Sequence, residues 1–123
     1  VEGFQNFAIG FGEMINKEVA GFYFNQIGTP DVVSHVYMGK HIGNSVGESF
    51  KGSGPYNIMP QLQGMIQPHT SWHTHPSYGY SEADRTRASE TDLKSKKNAL
   101  LAHPSQRPSY FMILTRGHAP IYY

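Results

Sequence analysis

Two histidines two residues apart, His73 and His75, are the residues of this sequence best placed to do chemistry together. They close a predicted strand over 65–75, and the side chains of a strand alternate between its two faces. Both imidazoles therefore point the same way and can share one metal ion. Pro76 cannot continue a sheet ladder, so the pair lies where the strand leaves the sheet. Zinc fits best, because its ligands other than thiolate are imidazole and carboxylate and the chain has no cysteine.

Carboxylates that can complete such a site occur on both sides of the pair. Two Ser-x-x-Asp units follow it, Ser81 with Asp84 and Ser89 with Asp92, and Glu18 precedes it at the start of a short apolar strand. Ser-x-x-Asp is also the pattern of a helix capping box, in which serine and acid bond each other's backbone N–H groups. A capped helix start is a rigid place from which to hold a metal ligand.

In order and in type, these segments resemble the JAMM (MPN-type) metalloprotease family. Its pattern is Glu-x-x-Gly on an apolar strand, then His-[Ser/Thr]-His-Pro, then Ser-x-x-Asp. His73-Thr74-His75-Pro76 matches without departure, and Glu18 with Gly21 matches the Glu-x-x-Gly strand. The order and the types of the elements match over roughly residues 4–115. The last spacing departs from the family, which typically has seven residues there, because five residues separate His75 from Ser81 and thirteen separate it from Ser89.

The resemblance implies a zinc ion held by His73, His75 and one aspartate, with water as the fourth ligand. Glu18 would be the general base, and the serine of the chosen unit would donate a hydrogen bond to the oxyanion. The substrate would be a peptide or isopeptide bond, often at a ubiquitin-like C-terminus. Glu13 and Glu48 are weaker candidates for the general base than Glu18. Glu13 is expected in the middle of a helix, and Glu48 lies in a Gly-rich stretch.

For the third ligand we favour Asp92 with Ser89, and the alternative is Asp84 with Ser81. Asp92 leaves residues 93–109 before the next predicted strand, which is room for a helix of about three turns and a loop. Leu93 directly after it is expected to anchor the helix start against the core. Residues 77–88 would then be an insertion overhanging the zinc.

Four further histidines are expected to be structural or surface groups: His35, His41, His103 and His118, the last also as a possible substrate contact. His69 shares the strand parity of the metal pair but lies about 13 Å from it along a strand.

Around the motifs, hydrophobic periodicity predicts an α+β fold with a mixed sheet. Helices are expected from residue 4 and over 89–102, the second with Leu93, Leu100 and Leu101 as its apolar residues. Strands are expected over 19–24, 32–38, 65–75, 110–114 and 121–123, with a Gly- and Ser-rich stretch at 39–60. The resemblance refines this to one MPN-like (cytidine-deaminase-like) domain over 1–123, its sheet flanked by the N-terminal helix and by the helix that follows the metal motif.

The charge balance argues against nucleic acid and anionic membranes as partners. Ten basic and nine acidic residues leave a formal charge of +1. No run approaches the roughly 18 apolar residues of a membrane span, so we expect a soluble chain. The length excludes the TIM barrel of His-x-His amidohydrolases, and the helix at 89–102 argues against a cupin.

Within the family, the Trp-His-Thr-His-Pro form and the Tyr-rich 77–88 segment look most like the JAB-like peptidase domains of bacterial polymorphic toxins. That likeness, the small size and a first residue other than Met fit an excised effector domain, secreted and acting in the cytoplasm of a target cell. Its partners would be a protein or peptide substrate and an immunity protein. The alternative function is a catalytically inactive MPN-like interaction module.

Overall fold

The computed structural model describes residues 1–39, 64–102, 104 and 107–123. The elements run α1 (Glu2–Ile15), β1 (Ala20–Gln26), β2 (Val33–Met38), β3 (Ile66–Thr74), α2 (Glu82–Arg85), α3 (Glu90–Ala99), β4 (Tyr110–Leu114) and β5 (Ile121–Tyr122). The predicted α+β class is confirmed, and the short helix α2 is an addition to the predicted elements. Apart from Gly39, the 39–60 stretch lies outside the described residues. Among the described helices, none has the length and apolar character needed to cross a membrane.

The five strands form one mixed sheet in the order β2-β1-β3-β4-β5. β3 runs antiparallel to β1 and parallel to β4, while β2 and β5 pair antiparallel with β1 and β4. A parallel pair needs a crossover connection, and here residues 75–109 with α2 and α3 supply it. The crossover begins at the carboxyl end of β3, where α/β sheets place their ligand sites.

The main core lies between α1 and one face of the sheet, with Trp72 at its centre. The indole packs edge-on against Phe4 of α1 and lies beside Tyr23 of β1. Gly21 makes this packing possible, because a Cβ there would overlap the Tyr37 carbonyl oxygen and lie 2.5 Å from the Trp72 ring. The glycine of the Glu-x-x-Gly segment is therefore explained by close packing against the strand that carries the histidines.

The helix α3 does not pack through its leucines, contrary to the prediction. Leu93, Leu100 and Leu101 are 52%, 44% and 78% exposed. The inward positions follow helical spacing and are small, polar or amphipathic: Asp92, Ser95, Lys96 and Ala99. Successive helix residues are about 100° apart, so burying Leu93 would turn Asp92 away from the sheet. Leu93 is therefore not the anchor of the helix start, and Asp92 is the buried residue there.

Candidate metal centre

Four side chains from three parts of the fold meet at the carboxyl end of β3. One potential ligand atom from each of Glu18, His73, His75 and Asp92 lies within 4.8 Å of the corresponding atoms of the others. His73 and Asp92 are 1% and 2% exposed. The group can hold a metal ion, and it contains the histidine pair, the favoured aspartate and the glutamate that the sequence singled out.

The histidines converge because of strand parity, as predicted. His73 pairs with Ala20 of β1 and with Ile113 of β4, which fixes it inside the sheet. His75 lies just past the end of β3, where its backbone N–H still donates to the Leu114 carbonyl oxygen over 3.0 Å. The two Nε2 atoms are 3.0 Å apart.

Asp92 reaches the histidines from the first turn of α3. The Ser89 hydroxyl oxygen accepts from the Asp92 N–H, and Asp92 Oδ2 accepts from the Ser89 N–H over 2.9 Å, which completes a capping box. The same Oδ2 lies 3.2 Å from Nε2 of His73 and 3.2 Å from Nε2 of His75. Helix capping and convergence on the histidines therefore use one carboxylate oxygen.

The alternative unit lies outside this cluster. Ser81 caps α2 by accepting from the Asp84 N–H, but the Asp84 carboxylate pairs with Arg87 at 2.9 Å. The Asp84 side chain is 54% exposed. Between the two aspartates of the Ser-x-x-Asp units, the fold brings Asp92 to the histidines.

Glu18 is held beside the histidines by the junction between α1 and β1. The Val19 N–H donates to Thr74 Oγ1 over 2.9 Å, and the Thr74 N–H donates to the Val19 carbonyl oxygen over 2.8 Å. Gly12 lets the helix approach this clamp, since a Cβ there would lie 2.8 Å from Thr74 Oγ1. These two hydrogen bonds between Val19 and Thr74 hold the adjacent residue, Glu18, next to the carboxyl end of β3.

The donor set suits a small divalent cation. His75 Nδ1 contacts the Arg85 carbonyl oxygen at 3.1 Å, and a carbonyl only accepts, so Nδ1 carries a proton and Nε2 of the neutral ring presents its lone pair. That lone pair faces His73 Nε2 and the Asp92 oxygen at 3.0–3.2 Å. Ligands of a tetrahedral zinc with bonds of about 2.0–2.2 Å are about 3.3–3.6 Å apart. Shifts of a few tenths of an ångström fit these three atoms to that geometry.

The charges of the cluster favour the metal-binding protonation states of two residues. Burial lowers the pKa of His73 below 6.5, which keeps it neutral. Burial opposes the charge on Asp92, but its contacts with His73 and His75 outweigh this and hold its pKa far below the ordinary range. For His75, burial lowers the pKa while the hydrogen bond to Asp92 and the charge of Glu18 raise it, and the pKa is raised overall.

A cavity of about 350 Å³ opens beside the cluster. Its lining includes Glu18 and His75 from the cluster, Tyr80 and Arg85 from the 77–88 insertion, and Ser89 at the start of α3. His73 and Asp92 lie deeper. The insertion therefore borders the cavity from which the cluster is approached, as the overhanging position predicted for it requires.

The remaining glutamates and histidines take other places. Glu13 accepts from the N–H and the hydroxyl of Ser77, so it fixes the chain just after Pro76. His69 contacts Tyr110, and His118 pairs with Glu82 at 2.8 Å. Glu48, His41 and His103 lie outside the described residues.

Tyr123, a further neighbour of the cluster, belongs to none of the motifs found in the sequence. The Tyr123 ring packs edge-on against the His73 imidazole, with centroids 5.8 Å apart. Lys96 of α3 donates to the Tyr123 carbonyl oxygen over 2.7 Å and lies over the Tyr123 ring. Burial, and then the charges of Asp92 and Glu18, raise the pKa of Tyr123, so its phenol stays protonated beside the cluster. Only pairing of distant segments could reveal this contact.

No protein-family model matches this chain, and comparison with curated proteins and with solved structures found no match. The resemblance to the JAMM family is therefore carried by the motifs and their order along the chain alone.

Proposed function

We propose that this chain is a zinc-dependent peptidase or isopeptidase of the JAMM type, with an MPN-like fold. The observation that carries the proposal is the triangle of His73 Nε2, His75 Nε2 and Asp92 Oδ2, with sides of 3.0–3.2 Å, beside Glu18. Two imidazoles and one carboxylate are a usual ligand set of catalytic zinc, which leaves one position open.

His73, His75 and Asp92 would hold the zinc. Bound there, zinc polarises a carbonyl and lowers the pKa of water toward about 7. The Glu18 carboxylate accepts one proton as the water oxygen bonds to the scissile carbonyl carbon. It then delivers that proton to the amine nitrogen as the C–N bond breaks, so the products are one carboxylic acid and one amine.

Ser89 is proposed as the donor to the oxyanion. Its hydroxyl oxygen already accepts from the Asp92 N–H, and a hydroxyl that accepts in this way keeps its O–H for donation. Ser89 also lines the cavity beside Glu18. A donor of this kind contributes about 10²–10³-fold to the rate.

The substitution Glu18→Gln tests the proposal. The amide is nearly isosteric but takes no proton, so zinc content and fold are retained while hydrolysis falls by about 10²–10⁴-fold. Zinc is measured by elemental analysis, and hydrolysis on peptide and isopeptide substrates that include ubiquitin-like C-termini. Glu13→Gln is the matched control, because that glutamate binds Ser77. Equal activity in Glu18→Gln and wild type refutes Glu18 as the base.

A role as a bacterial toxin effector is proposed with this activity, and an immunity protein would be its partner. Expression in bacteria of wild type beside Glu18→Gln tests the role, since only the wild type should arrest growth. If the chain is instead an inactive interaction module, its function should not depend on zinc. Wild type and Glu18→Gln should then not differ in the hydrolysis assay or in the growth test.

A further inference from the structure

His75 is tied to the 77–88 insertion by a closed ring of hydrogen bonds. Its Nδ1–H donates to the Arg85 carbonyl oxygen over 3.1 Å. The Thr115 hydroxyl donates to the His75 carbonyl oxygen over 2.8 Å and accepts from Arg85 Nη1 over 2.9 Å. The His75 imidazole is therefore bonded to Arg85, its backbone carbonyl is bonded to Thr115, and these two residues are bonded to each other.

The segment that carries the Arg85 carbonyl has little stability of its own. The helix α2 has four residues, none of them buried, and so short a helix does not persist without tertiary contacts. Arg85 Nη1 also donates to the Arg116 carbonyl oxygen over 2.6 Å, and Glu82 pairs with His118. The guanidinium thus joins α2 to the turn that follows β4, at the buried residue Thr115.

We propose that Arg85 is a positioning residue for the metal centre. Its guanidinium docks α2 against Thr115 and Arg116, and the docked helix presents the carbonyl that fixes His75 in orientation and as an Nε2 ligand. The inference rests on the proposed function only in taking His75 as a metal ligand. It goes beyond that function by assigning part of the metal affinity to the insertion.

Metal-ligating histidines depend on the acceptor of their other ring N–H, and loss of such a partner costs about 10–100-fold in affinity. Arg85→Gln should therefore weaken Co²⁺ and Zn²⁺ binding by about that factor. Arg87→Gln is the matched control, since it removes the same charge two residues away, where the side chain is 73% exposed and pairs with Asp84. Arg85→Lys keeps the positive charge but offers a single donor nitrogen in place of the guanidinium, so its metal affinity should fall between those of wild type and Arg85→Gln.

The experiment titrates the metal-free proteins with Co²⁺ and Zn²⁺ in competition with a chromophoric chelator, and records the visible spectrum of each Co²⁺ complex. We expect weaker binding and an altered Co²⁺ spectrum for Arg85→Gln, with Arg87→Gln like wild type. Equal affinities for the two glutamine variants overturn the proposal. A weaker affinity with the wild-type Co²⁺ spectrum also overturns it, because that result assigns Arg85 to general stability.

If Arg85→Gln fails to fold, as judged by circular dichroism, Thr115→Val and Thr115→Ser decide the question. Valine removes the hydroxyl that links Arg85 to His75 and serine keeps it, so only valine should weaken metal binding, by about tenfold or more. Equal affinities overturn the proposal. A wild type that binds metal but hydrolyses nothing refutes the peptidase and leaves this inference standing, whereas a wild type that binds neither metal refutes both.

Discussion

Replacing Asp92 with asparagine separates the two roles that its carboxylate plays. The amide keeps the size of the side chain, and its oxygen can still accept the Ser89 N–H that now donates over 2.9 Å. The cap and the start of α3 should therefore persist. The negative charge between the two histidines is lost, and the neutral amide oxygen left about where Oδ2 lies, 3.2 Å from each Nε2 atom, is a weaker zinc ligand than a carboxylate oxygen.

The expected loss of zinc affinity is at least about 100-fold, because removing even a supporting partner of a metal ligand costs about 10–100-fold and Asp92 is itself a proposed ligand. This corresponds to about 2.8 kcal/mol or more of binding free energy. Asp84→Asn should leave the affinity unchanged, since the Asp84 side chain is 54% exposed and its ion pair with Arg87 is of a class worth about 0–1 kcal/mol.

The assay is competition titration of both metal-free variants with zinc, with circular dichroism to show that each is folded. Elemental analysis of the proteins as purified gives an independent measure of zinc content. Loss of zinc only in Asp84→Asn would refute the assignment and would require α2 to swing over the histidines. Equal retention of zinc in both variants would show that His73 and His75 bind it without an aspartate.

Three further outcomes are expected. Ser89→Ala should reduce hydrolysis by about 10²–10³-fold and stability by about 0.5–2 kcal/mol, whereas Ser81→Ala should leave hydrolysis unchanged in the same peptide assay; equal rates would remove Ser89 as the donor. Gly21→Ala should lower the free energy of unfolding in urea by about 1–3 kcal/mol or more, while Gly10→Ala, which meets nothing within 4 Å, should raise it; a neutral Gly21→Ala would contradict the packing argument. Apparent zinc affinity should fall as pH drops from about 8 to 6, because the raised pKa of His75 makes a proton compete with the metal; a flat profile would show that His75 is not a ligand.

Local chemistry was enough to predict the histidine pair, whereas Glu18 was singled out by the resemblance to the Glu-x-x-Gly segment of the JAMM pattern. Alternation along a strand puts His73 and His75 on one side whatever the rest of the chain does. The proline after them ends the strand, and Glu18 precedes an apolar segment whose glycine, Gly21, fits under Trp72. Apart from the short helix α2, the order of helices and strands within the described residues follows for the same reason, since each depends on neighbours in sequence.

The choice between the two aspartates lay beyond local chemistry. Ser81 and Ser89 both cap helices, so the two Ser-x-x-Asp units look alike in sequence. Asp92 is selected because the crossover between the parallel strands β3 and β4 brings the start of α3 to the histidines, which is a property of strand pairing.

The inward face of α3 and the support of His75 were likewise decided by tertiary structure. Hydrophobicity favours burying Leu93, yet the cluster of His73, His75 and Asp92 selects the rotation of the helix, and the leucine is left in solvent. Arg85 and Thr115 are thirty residues apart and carry no motif, so only the docking of α2 against the end of β4 could bring them to His75. Contacts between segments distant in sequence depend on the whole fold, and hydrophobic periodicity within one segment does not encode them.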